Sequence, residues 1–112
     1  MTVYSYKSSS GKDLIMDYIL GLENEEKVDG LSVLENMEND KLDTLMTKHW
    51  QGKIYEVYFR KHNRIFYIAI EKSKIYLLHA CRKQKNKTER KDKNIVISRA
   101  KELGKELGLN VI

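Results

Sequence analysis

A chain of 112 residues holds one domain, and its 41% hydrophobic content supplies one modest core, which excludes two independent domains and gives a single domain over 1–112. The longest apolar stretches, such as 65–70, fall far short of the roughly 20 residues of a membrane span. No basic-then-apolar leader opens the sequence, and the lone Cys81 excludes an internal disulfide. The reading is a cytoplasmic domain, off the membrane and held by packing alone. Net charge is +5, unevenly spread: residues 1–47 carry four Lys/Arg against ten Asp/Glu, residues 48–81 seven against two, and residues 82–112 ten against four. An acidic beginning followed by a basic remainder presents one cationic surface once folded, and nucleic acid is the commonest partner for such a surface. The competing reading is a lysine-rich surface that serves solubility alone.

Residues 2–7 (TVYSYK) alternate and are β-branched or aromatic, which predicts a short edge strand ending at Ser8-Ser9-Ser10-Gly11. Leu14, Ile15, Tyr18, Ile19 and Leu22 then recur at helical spacing, with Asp13 or Ser10 placed to cap the free amides. A second helical pattern runs through Val28, Leu31, Leu34 and Met37 to Asn39-Asp40, weakened by Gly30. Residues 41–53 have few apolar anchors and read as a connection with a short turn of helix. Residues 54–60 (IYEVYFR) alternate, with Tyr55, Val57 and Phe59 on one face and Glu56, Tyr58 and Arg60 on the other. Turns at Lys61-His62-Asn63 and at residues 71–74 separate that strand from two more, 64–70 and 75–81. This is a three-stranded meander whose middle strand is apolar enough to be covered on both faces. Val96, Ala100, Leu103 and Leu107 mark a basic amphipathic helix from about Thr88 to Leu107, stopped by Gly108. The sum is an α+β domain: N-terminal helices packed on a small, mostly antiparallel twisted sheet, with a basic C-terminal helix.

The stretch from His79 to Lys93, HACRKQKNKTERKDK, joins the last strand to the final helix and holds seven Lys/Arg. Its basic groups can neutralise phosphates while Thr88 caps the helix and Gln84 and Asn86 bond to sugar or base edges; a solvated charged loop is the competing reading. Tyr58 and Arg60 on one strand, Arg64 opening the next and His79 closing the third are placed to converge on one groove. An imidazole ordinarily titrates near neutrality, so His79 suits proton transfer at an RNA 2′-hydroxyl, although a lone histidine at a strand end is more often packed and hydrogen-bonded. His49 and His62 have no second ligand at suitable spacing, and Asp13, Asp17, Glu23, Glu25 and Glu26 read as solvated faces, so no metal is expected. His79 and Cys81 share a face without having to touch, and a nucleophilic pair is disfavoured. The six glycines fit no phosphate-binding loop, which argues against a nucleotide cofactor.

Taken in order, Tyr55-Glu56-Val57, Arg64-Ile65-Phe66-Tyr67, and Leu77-Leu78-His79 followed by Lys87-Thr88 resemble the RelE/HigB superfamily of toxins, in its phage-derived HigB-like branch, over about residues 12–107. The resemblance implies a small ribonuclease that enters the ribosomal A site, cuts translated mRNA without metal or other cofactor, and is held inactive by a cognate helix-turn-helix antitoxin. It implies that Arg64, helped by Arg60, stabilises charge on the scissile phosphate, and that His79 or Tyr58 transfers a proton. Lys83, Lys85 and Lys87, with Arg82 and Thr88, would hold the RNA backbone. The chain departs from the branch at Tyr58, where an Arg is usual, and at Glu89, where a Pro is usual. A non-catalytic module of the same fold, binding nucleic acid or an acidic partner through its basic face, is the competing function.

Overall fold

The computed structural model describes residues 1–71, 73–83 and 88–112. In chain order the elements are β1 (Thr2–Ser5), α1 (Leu14–Leu20), α2 (Asn24–Glu38), a single 3-10 turn (Leu42–Thr44), β2 (Thr47–Gln51), β3 (Ile54–Phe59), β4 (Asn63–Ile70), β5 (Lys74–Arg82) and α3 (Arg90–Leu107). The five strands lie in the order β1-β5-β4-β3-β2. Strands β2 to β5 are antiparallel neighbours, whereas β1 runs parallel to β5. The sheet is therefore mixed and not purely antiparallel. The chain leaves β1 through two helices and three strands before β5 returns beside it, so no hairpin ties their directions.

The predicted meander is present, and β4 at its centre is covered on both faces. Ile65 and Tyr67 pack with Ile15, Ile19, Val33 and Met37 under α1 and α2. Phe66 and Ile68 pack with Val96 and Ala100 under α3. Asp13 caps α1, its Oδ1 accepting from the amides of Ile15 and Met16 at 3.1 and 2.9 Å. Gly30 does not break α2; it sits where a Cβ would meet the Phe59 ring at 3.2 Å, so its lack of a side chain lets the helix approach the sheet. Gly108 ends α3 in the left-handed conformation at φ 66°. Among the described residues no helix is long and apolar enough to cross a membrane.

Two expectations change. Residues 41–53 are not simply a connection, because Thr47–Gln51 pairs with β3 as an edge strand whose first three residues are exposed. The final helix starts at Arg90 and not at Thr88, and the residue that precedes it, Glu89, makes no side-chain cap. A bulge at Leu78 has the larger consequence: Phe66 pairs with His79 and Tyr67 with Leu77, so one residue of β5 is extra. The alternation of β5 shifts there, which leaves Leu77 facing α1 and α2 while His79 and Cys81 join Leu78 on the α3 face.

Candidate functional site

The chemistry gathers on the α3 face, near the end of the sheet where β5 leads into the basic segment. Tyr58, Arg64 and Cys81 are register partners across β3, β4 and β5, and the adjoining row holds Lys48, Glu56, Phe66 and His79. At the centre is Glu56, whose side chain is 2% exposed. Its Oε1 accepts from Arg64 Nε at 3.1 Å and from Lys83 Nζ at 2.9 Å. The Arg64 guanidinium carbon lies 4.4 Å from the centroid of the Tyr58 ring, and Nη1 donates to the Asn63 carbonyl at 3.3 Å. Among the described residues no hydrogen bond engages Arg64 Nη2. The guanidinium is thus fixed by a carboxylate on one edge and an aromatic face beneath it, with one amino group left to offer.

One carboxylate between two cations leaves a surplus positive charge in a partly desolvated place, where the field is stronger than in bulk water. A depression of about 330 Å³ opens beside it, lined by Lys48, Trp50, Glu56, Lys83, Thr88 and Lys93 among others. Three lysines converging there suit a phosphodiester backbone. Thr88 does not cap α3; its Oγ1 is buried and has no partner among the described residues.

His79 lies on the same face, within the seam between β5 and α3. Its Nε2 is 2.8 Å from Asp92 Oδ1 in the first turn of α3, and its Nδ1 is 3.4 Å from Arg99 Nη1. Burial pushes the imidazole below its ordinary value, partly offset by the bond to Asp92, so it is neutral at pH 7. Both ring nitrogens face protein groups. Burial, with the Asp92 charge, raises the Cys81 thiol to about 12, which keeps it protonated and excludes a Cys–His nucleophile pair at neutral pH.

Two arginines stand elsewhere than the alternation suggests. Strand β3 ends at Phe59, and Arg60 turns to the other side of the sheet, where it pairs with Asp29 at 2.7 Å and Glu25 at 3.0 Å on α2. It is not brought to Arg64. Arg82 faces α2 and pairs with Glu26, while Lys83, one residue on, faces Glu56. Glu26 is accordingly not part of a solvated acidic face: it is 2% exposed and also accepts from Asn63 Nδ2 at 2.8 Å. Lys85 and Lys87 lie outside the described residues.

The structure brings together Tyr58, Arg64, Lys83 and Thr88 from the expected set, and adds Glu56, Lys48 and Lys93. The signal for Glu56 was its place two residues before Tyr58 on a strand. Lys48 carries no such signal, because the residues of β2 show no strand pattern and its place follows only from pairing with β3.

None of the curated proteins compared with the chain matches it. A family model described as phage derived protein Gp49-like (DUF891) matches residues 17–101, which takes in strands β2 to β5 and most of the helices on both faces. That match covers well over half of the chain, which therefore belongs to the family of phage-derived Gp49-like proteins.

Proposed function

We propose that this protein is the toxin of a type II toxin–antitoxin pair and acts as a ribosome-dependent mRNA endoribonuclease that inhibits translation. Its family is associated with toxin–antitoxin systems. The observation that carries the reading is Arg64: a guanidinium braced by buried Glu56 and stacked on Tyr58, its Nη2 unbonded among the described residues, with Glu56 joining it to Lys83 and a lysine-lined depression.

In this reading Lys48, Lys83 and Lys93 seat the RNA backbone, with Lys85 and Lys87 following along the basic segment. Arg64 meets a non-bridging oxygen of the scissile phosphate and holds the charge that grows as phosphorus becomes pentacoordinate. The 2′-hydroxyl attacks phosphorus, its proton passes to a base, and the O2′–P bond forms as the P–O5′ bond breaks. The products are a 2′,3′-cyclic phosphate and a 5′-hydroxyl, the leaving oxygen taking up one proton. In this reading Tyr58, whose ring lies under the Arg64 guanidinium, takes the proton-transfer role, because His79 is bonded to Asp92 and meets Arg99. The ribosome supplies the orientation of the substrate that an open sheet surface lacks. A helix-turn-helix antitoxin silences the protein by covering the same basic depression.

One observation favours the competing reading of a binding module without catalysis: His49, which lines the depression, is bonded through Nε2 to the Gly52 carbonyl at 2.8 Å, and His79 is bonded to Asp92 at 2.8 Å. Primer-extension mapping of a translated reporter mRNA separates the two. Induction of the protein is expected to produce in-frame cuts that vanish with Arg64→Ala and persist with His79→Ala. A folded, expressed protein that yields no cuts is a binding module.

A further inference from the structure

We propose that His79, Cys81 and Asp92 form a site for a soft divalent transition-metal ion of the zinc class, which pins the first turn of α3 to β5. The ligand atoms of these three side chains all lie within 4.8 Å of one another. The bulge at Leu78 turns His79 and Cys81 to the α3 face, two residues apart on a strand paired there with β4, and α3 brings Asp92 to them from above.

The spacing is close to what a metal requires. Tetrahedral zinc with bonds of about 2.0–2.3 Å holds its ligand atoms roughly 3.3–3.6 Å apart. Closing the set from 4.8 Å takes shifts of about an ångström. The 2.8 Å contact between His79 Nε2 and Asp92 Oδ1 opens by about half an ångström as the metal replaces the proton between them. The donor set is one sulfur, one nitrogen and one oxygen, a combination that selects zinc, cobalt or cadmium over magnesium or calcium. With the thiol proton released and Asp92 ionised, the ligands carry two negative charges and match a divalent ion. Three protein ligands leave a fourth position for water.

The surroundings set the cost. Arg64 and Lys83 near Cys81, and Arg99 and Lys91 near His79, oppose a cation, but the first two also ease the loss of the thiol proton. Nε2 offers its lone pair once the ring proton moves to Nδ1. Arg99 then gives up only its 3.4 Å contact with the ring and keeps its bond to the Leu78 carbonyl at 2.8 Å. The ion would take no part in RNA cleavage, and the inference does not rest on the ribonuclease reading.

The test is a titration of the reduced full-length protein with cobalt(II), followed by absorbance. One equivalent is expected to produce a thiolate-to-cobalt charge-transfer band together with the intense visible bands of a four-coordinate ion, both lost when zinc is added. Zinc is expected to raise the melting temperature. Cys81→Ser is expected to bind without the charge-transfer band, and Asp92→Asn to bind more weakly by at least the roughly tenfold loss seen for outer-shell changes. Cobalt bound without that band in the wild type, as it would be at exposed His49 or His62, overturns the proposal. So does failure of the folded wild type to bind, or wild-type affinity in both Cys81→Ser and Asp92→Asn.

Discussion

Glu56 on β3 and Arg64 on β4 meet at 3.1 Å on the α3 face, and the same carboxylate oxygen holds Lys83 at 2.9 Å. The acid thus positions both the guanidinium and the ammonium, and it lines the depression together with Lys83. Glu56→Gln keeps an oxygen acceptor of the same size but removes the charge, which leaves Arg64 and Lys83, 11% and 9% exposed, beside each other uncompensated. Breaking a buried pair in this way costs about 3 kcal/mol. Urea denaturation of the variant is expected to show that loss as a lower midpoint with an unchanged slope. RNA cleavage is expected to fall more than RNA binding, because the lysines still attract phosphate while the guanidinium loses its aim.

Arg82 and Lys83 are adjacent basic residues with opposite tasks. Arg82 neutralises buried Glu26 under α2, so Arg82→Ala is expected to lower the melting temperature and leave the salt dependence of RNA binding as it was. Lys83→Ala is expected to reduce the slope of log affinity against log salt by about 0.7, the share of one contact to a single-stranded phosphate backbone. Fluorescence anisotropy with a labelled oligoribonucleotide across a salt series reads both.

Arg60 makes the complementary case. Its partners Asp29 and Glu25 are on α2, away from Arg64, and its side chain is 46% exposed. Ion pairs this exposed are screened by solvent and contribute little. Arg60→Ala is expected to leave reporter-mRNA cleavage at the wild-type level, and a loss of cleavage comparable to that of Arg64→Ala would place Arg60 at the substrate after all.

Much of this arrangement is legible in the chain. The apolar run of β4, the Asp13 cap and the period of α3 each follow from local residue pattern, because burial and capping leave periodic marks. The edge strand β2 leaves none: Thr47, Lys48 and His49 are exposed, and their pairing to β3 is made by backbone groups that every residue carries. The bulge at Leu78 is likewise invisible to alternation, yet it decides which face receives His79. Alternation puts Arg60 beside Tyr58 only where the strand continues, and β3 ends at Phe59. Charge alone does not distinguish Arg82, which neutralises a buried acid, from Lys83, which lines the depression.

Gly30 tests the packing of α2 directly. A methyl there would lie 3.0 Å from Ile19 Cγ2 and 3.2 Å from the Phe59 ring, tighter than relaxed contacts. Alanine gains about 1 kcal/mol of helix propensity over glycine, but overpacking costs about 1–3 kcal/mol. Gly30→Ala is expected to be destabilising by about 1 kcal/mol on balance, measured by denaturant unfolding. A gain in stability would mean that α2 rides further from β3 than described.

The pH dependence of stability follows from His79. Burial lowers its folded-state pKa below the ordinary 6.5. As pH falls past that value the unfolded chain takes up the imidazole proton before the folded one does, so the unfolded state binds more protons and stability falls with it. Above about pH 6.5 both states are neutral at this ring and the contribution is flat; far below the folded-state pKa both are charged and the loss stops growing. Replacing the ring with an amide removes this linkage. Between pH 7.5 and 5 the wild type is therefore expected to lose stability relative to His79→Gln, read as converging or crossing urea midpoints. A constant difference across that interval would mean that the ring titrates alike in both states, and that the bond to Asp92 fully offsets its burial.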